Sequence, residues 1–149
     1  MNYIASPRQA FLALVDDDAH SARLLTRMLL AHGSPPVQWL DSAGAGAAEL
    51  GDILADSLRQ RPSLVIVDLK ASSTATRVFV TTLRQMEGAD ALLIAAMSPS
   101  LDRDTRNALL DAGANAVFER HADVNAYRRE AANLVSYWVR NQRIYANGP

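Results

Sequence analysis

Three short runs of this chain are almost wholly apolar, Phe11 to Val15, Leu64 to Val67 and Ala91 to Met97, and each is followed at once by a polar residue. A strand with one wet face alternates apolar and polar side chains. A strand covered on both faces does not, so continuous runs point to a parallel sheet sandwiched between helices. Weaker runs at Val37 to Leu40 and Ala116 to Phe118 bring the set to five. Between them lie segments of helical period. Ala22, Leu25 and Leu29 share one face, as do Phe79, Leu83 and Met86, and Tyr127, Ala131, Leu134 and Trp138 form a stripe in the last segment. Gly33 and Gly113 follow helical runs where a left-handed cap is wanted, and Asp123 is placed to cap the last helix. Strands alternating with helices give a (βα)5 order, hence right-handed crossovers and a doubly wound parallel α/β sheet. The stretch Ser42 to Arg59 fits least well. Its Ala/Gly-rich start reads as loop, with a helix expected only from about Ala47.

A chain of 149 residues, 49% hydrophobic and 21% charged, suits one domain with one core. We expect a single domain over 1–149 with its core at about 11–140, a short N-terminal extension and a tail from Gln142 to Pro149. The net charge of -1 favours neither nucleic acid nor a membrane surface as partner. With no cysteine, disulfides, thiol catalysis and cysteine-based zinc sites are excluded. No apolar run reaches signal-peptide or bilayer length, so a cytoplasmic protein is expected. Among 15 Lys and Arg residues there is one lysine, Lys70.

The placement of the polar residues carries the functional argument. Asp16, Asp17 and Asp18 follow the first apolar run, Asp68 the third, Ser98 the fourth and Arg120 the fifth. In an open parallel α/β sheet the carboxyl ends of the strands share one edge, and ligands bind there. Carboxylates so gathered repel one another, and either a proton or a cation must join them. An oxygen-only site suits Mg²⁺. With a carboxylate nucleophile, a hydroxyl donor and a fixed positive charge added, the parts are those of phosphoryl transfer to an aspartate.

Taken together, Leu14-Val15-Asp16-Asp17-Asp18, Leu64-Val65-Ile66-Val67-Asp68, Ser98, Ala112-Gly113-Ala114 and the cation at 120 resemble the receiver domain of two-component response regulators over nearly the whole chain. The resemblance implies the flavodoxin-like strand order 2-1-3-4-5. It implies Asp68 as phosphoacceptor, with Asp16, Asp17, Asp68 and the Lys70 backbone carbonyl around Mg²⁺. Ser98 would bond the phosphoryl oxygen, and Arg120 would replace the family's lysine. A histidine kinase or phosphotransfer protein would supply the phosphoryl group. The chain would be a stand-alone receiver, not an enzyme, signalling by protein contact. A homodimer through the fourth helix, fifth strand and fifth helix would suit the aromatic residues there.

Departures from the family pattern keep a second reading open, a pseudo-receiver that binds partners without phosphorylation. Arg120 presents a planar fork instead of a compact ammonium. The loop Lys70-Ala71-Ser72-Ser73-Thr74 lacks the family's Met-Pro pair and glycine, and Val117 stands where the switch aromatic is usual. Lys70 is either an exposed loop residue or a cation that reaches into the site beside Arg120. A third reading, an aspartate-nucleophile hydrolase, fails on Lys70, which occupies the position of the second catalytic acid/base. Blander roles stand beside each candidate. Asp16 to Asp18 suit a helix N-terminus, Ser98 could cap the helix after it, and the three histidines show no ligand spacing. Tyr137 and Tyr145 are read as free for a partner.

Overall fold

The computed structural model describes residues 10–147, with side chains through Gln142. The N-terminal extension expected from the sequence lies outside the described residues. Five strands, β1 (Leu12–Asp16), β2 (Val37–Leu40), β3 (Leu64–Asp68), β4 (Ile94–Ser98) and β5 (Ala116–Glu119), alternate with five helices. The helices are α1 (Ala19–Ala31), α2 (Ala43–Ala55), α3 (Ala75–Arg84), α4 (Arg103–Ala112) and α5 (Val124–Asn147). All strand pairs are parallel, in the order β2-β1-β3-β4-β5. That is the flavodoxin-like arrangement, in which successive strands are added on one side of β1 and then, from β3, on the other.

The continuous apolar runs have a simple cause. In β1, Ala13 and Val15 belong to one core with Leu50 of α2, Phe79 of α3 and Leu109 of α4. Leu12 and Leu14, pointing the other way, pack with Leu25 of α1 and Leu134 of α5. Strand β3 divides likewise, Val65 and Val67 to one core, Leu64 and Ile66 to the other. Successive side chains on a strand point to opposite faces, so a strand with a core on each face has no place for a solvated side chain.

Three boundaries differ from expectation. The run from Ala91 does not start as strand, because Ala89–Ala91 form a 3-10 turn and β4 opens only at Ile94. Helix α2 begins at Ala43, capped by the Ser42 hydroxyl, which accepts from the Ala45 N–H, so the segment read as loop is helical. Helix α5 continues to Asn147 across the segment expected as tail. Its N-terminus is capped by Asp123 as expected, with the Ala126 N–H 2.8 Å from the carboxylate. Gly33 and Gly113 have φ of 91° and 123°, the conformations that end α1 and α4.

Candidate functional site

The register of the sheet creates the site. Asp16 and Asp68 are direct neighbours across the β1–β3 pairing and point to the face covered by α1 and α5. Adjacent strands lie about 4.8 Å apart, so two carboxylates are set side by side at the carboxyl edge. Both side chains are 0% exposed. Left alone, such a pair would repel by a few kcal/mol even at an effective dielectric of about 20.

Two protein cations meet them. Lys70, two residues past the end of β3, folds back over the pair. Its ammonium donates to Asp16 Oδ1 at 2.8 Å and to the Asp68 carbonyl at 3.0 Å, and lies 3.0 Å from Asp68 Oδ2. Arg120, just past β5, donates from Nε to Asp68 Oδ1 at 2.8 Å. Asp68 Oδ2 is buried and, although in ionic contact with Lys70, accepts no hydrogen bond. Asp16 is further held by the Asp18 N–H on Oδ1 and the Ser21 hydroxyl on Oδ2. Burial pushes the Asp16 carboxyl above its ordinary value; the Lys70 and Asp18 hydrogen bonds oppose the rise, and the Asp68 charge adds to it.

The three consecutive aspartates divide into three tasks. Asp16 faces Asp68. Asp18 is the N-cap of α1, accepting from the Ser21 N–H at 3.0 Å. Asp17 turns to the loop after β3, where its two oxygens accept from the Lys70 and Ala71 N–H groups, each at 2.9 Å. Asp17 therefore clamps the loop that carries Lys70, and the buried Thr76 hydroxyl holds the same loop by accepting from the Leu69 N–H. Ser98, at the end of β4, is 5% exposed and accepts from the Ser100 N–H at 3.3 Å. It does not cap α4; Asp102 does, through the Thr105 N–H. A pocket of about 450 Å³ opens beside the pair, lined in part by Lys70, Thr76, Ser98, Thr105 and Arg120. Of the six sequence candidates, Asp16, Asp68, Lys70 and Arg120 are joined by direct contacts, Ser98 lines a pocket with Lys70 and Arg120, and Asp17 acts through the loop backbone.

Three neighbours escaped the sequence reading. Trp39 of β2 donates from Nε1 to the Asp16 carbonyl at 2.8 Å. Ser21 joins from α1. Tyr127 of α5 buries a phenol beside the Ser21 hydroxyl, without a well-formed hydrogen bond. Burial pushes that phenol up to about 12, and the charges of Asp68 and Asp16 add to the rise. Each reaches the site through tertiary packing, for which a single sequence gives no signal. Elsewhere, Tyr137 packs edge-on against Phe118, ring centres 5.7 Å apart, so it is engaged within the fold. Tyr145 lies outside the described side chains.

The arrangement does not fit a divalent cation as it stands. Among the described residues no three His, Cys, Asp or Glu side chains converge on one point. Asp17 is committed to two N–H groups, and the space between Asp16 and Asp68 holds the Lys70 ammonium.

No family model and no curated protein sequence matches this chain. Solved structures do match. The phosphorylated cyanobacterial phytochrome response regulator RcpA is 17% identical, with a TM-score of 0.74 over 89% of this chain and 95% of its own. The chain has the fold of response-regulator receivers. A response regulator from Hahella chejuensis, 15% identical, matches this receiver fold with a TM-score of 0.71 over 87% of this chain and 95% of its own. The Mn²⁺-bound form of response regulator Rcp1, 17% identical, does so with a TM-score of 0.69 over 87% and 94%. Among the described residues of this receiver fold, no helix is long and apolar enough to cross a membrane.

Proposed function

We propose that this chain is a phosphoacceptor switch of receiver type, with Asp68 as the acceptor. The observation that carries the reading is a buried carboxylate whose Oδ2 accepts no hydrogen bond, set between an ammonium and a guanidinium beside an open pocket. Oδ2 attacks the phosphorus of a phosphohistidine on a kinase or phosphotransfer protein. The P–N bond breaks, its electron pair stays on the imidazole nitrogen, and that nitrogen takes up a proton. The transferred group enters from the pocket, where Lys70, Arg120 and the Ser98 hydroxyl meet its oxygens. Both cations must turn aside from Asp68 as it arrives. Mg²⁺, which the resemblance implies, finds no assembled ligand set here, and no step of this proposal runs through it. Output then passes by protein contact, in the cytoplasm, without enzymatic turnover.

The phosphorylation-independent reading is favoured by a different observation, the complete burial of Asp68 beneath Lys70 and Arg120. Intact-protein mass spectrometry decides between them. The protein is incubated with acetyl phosphate, with and without Mg²⁺, beside Asp68→Asn. A phosphate-mass adduct in the wild type that is lost in the variant is expected. No adduct from acetyl phosphate, nor from a phosphorylated phosphotransfer protein, moves the assignment to the pseudo-receiver.

A further inference from the structure

The chain places its one lysine at the point where, among the described residues, two buried carboxylates adjoin. An arginine could not take that place equally well. A guanidinium is a wide planar fork, whereas an ammonium is a compact charge with three donors that fits between closely set oxygens. Lys70 lies within 3.0 Å of oxygens from both carboxylates and of the Asp68 carbonyl. Its own loop is tied down by Asp17 through two backbone N–H groups, so the ammonium is delivered from a fixed base. Two buried carboxylates then face two cations, Lys70 and Arg120, so each has a protein counterion.

We propose that Lys70 is a tethered cation that fills the space between Asp16 and Asp68 and competes with divalent metal for it, leaving the resting protein with weak divalent-cation affinity. A metal ion entering there must expel the ammonium and, to gain Asp17, disturb the hydrogen bonds that its carboxylate accepts from the Lys70 and Ala71 N–H groups. The ammonium is covalently attached, so its effective concentration at the pocket far exceeds that of a free ion. This inference stands whether or not Asp68 accepts a phosphoryl group, because it concerns the unmodified site.

Mn²⁺ is the probe, its binding read by loss of the free-ion EPR signal in wild type, Lys70→Met and Lys70→Gln. At least about a tenfold gain in Mn²⁺ affinity is expected in the variants, equivalent to roughly 1.4 kcal/mol. The gain is expected to vanish when Asp68→Asn is added to Lys70→Met, which locates the ion in this pocket. Equal affinity in wild type and variants overturns the proposal, as does a gain that survives Asp68→Asn. Circular dichroism establishes that each variant is folded. If neither is, the wild-type titration decides: saturable binding abolished by Asp68→Asn overturns the proposal, and its absence up to millimolar Mn²⁺ upholds it.

Discussion

Tyr127 shows how one side chain can serve packing and leave a polar atom idle. Tyr127 is 5% exposed in the α1–α5 core, and its hydroxyl lies beside that of Ser21, which donates to Asp16, without a well-formed hydrogen bond of its own. A buried hydroxyl without a partner costs stability, so removing it is nearly neutral or favourable. Tyr127→Phe is expected to unfold in urea at the wild-type midpoint or slightly above it at pH 7. The alkaline limb should differ more. A phenol held at about 12 in the folded state and near 10 when unfolded gives stability that is complete below pH 10. It is lost as pH rises from 10 toward 12, by on the order of 2–3 kcal/mol. The variant should lack that decline, and parallel alkaline limbs in urea titrations would refute the assignment. At this scale the sequence disclosed part of the site. Asp16, Asp68 and Arg120 were legible because each ends a strand run. The ammonium of Lys70 was legible only as one of two alternatives, since a loop residue's direction depends on what Asp17 does to the loop.

Helix α2 was the element least visible in the sequence, and its glycines explain why. Apolar periodicity needs large side chains, and the first turns of α2 are built from Ala and Gly. Gly46 is buried because α2 approaches the sheet there. A Cβ at that position would lie 3.1 Å from both the Val15 side chain and the Phe79 ring. Gly44, two residues earlier and so on the opposite face of the helix, is exposed, and a Cβ there would meet only the Ser42 hydroxyl at 3.9 Å. The two glycines should therefore respond oppositely. Gly44→Ala is expected to raise stability by roughly 0.5–1 kcal/mol, the helix-propensity gain with no steric cost. Gly46→Leu is expected to lower it by at least about 1–3 kcal/mol, since Val15 is fixed in β1 and cannot yield. Denaturant melts of both variants test the pair; a Gly46→Leu protein as stable as wild type would show that α2 is free to lift from the sheet. The 3-10 turn before β4 was hidden for a related reason. Ala89 and the two leucines after Ala91 are buried like strand residues, so apolarity alone did not mark where the strand begins.

Across the whole molecule, the fold was legible because one constraint acts everywhere. Three central strands buried on both faces need helices on both sides, and parallel order follows from the alternation. The same order gathers strand ends at one edge, which is why residues distant in sequence pointed to one site. The price of that edge is electrostatic. Asp16 and Asp68 are each wholly buried, and their register leaves them no way to avoid one another. Removing one partner from a buried ion pair is costly because the remaining charge keeps its desolvation without its counterion. Lys70→Met is thus expected to destabilise the protein by about 3 kcal/mol, even though Lys70 itself is 22% exposed and Arg120 still meets Asp68. Asp16→Asn should reverse most of that loss when combined with it. The amide keeps an oxygen for the Asp18 N–H and presents an NH₂ to Ser21, so the shape and local bonds survive while the charge goes. In a urea double-mutant cycle the coupling between the two sites should exceed about 1 kcal/mol. Additive losses would mean that solvent already screens Lys70 from Asp16. A coupling of the expected size would mean that the carboxylates at this edge depend on the lysine for their place in the fold.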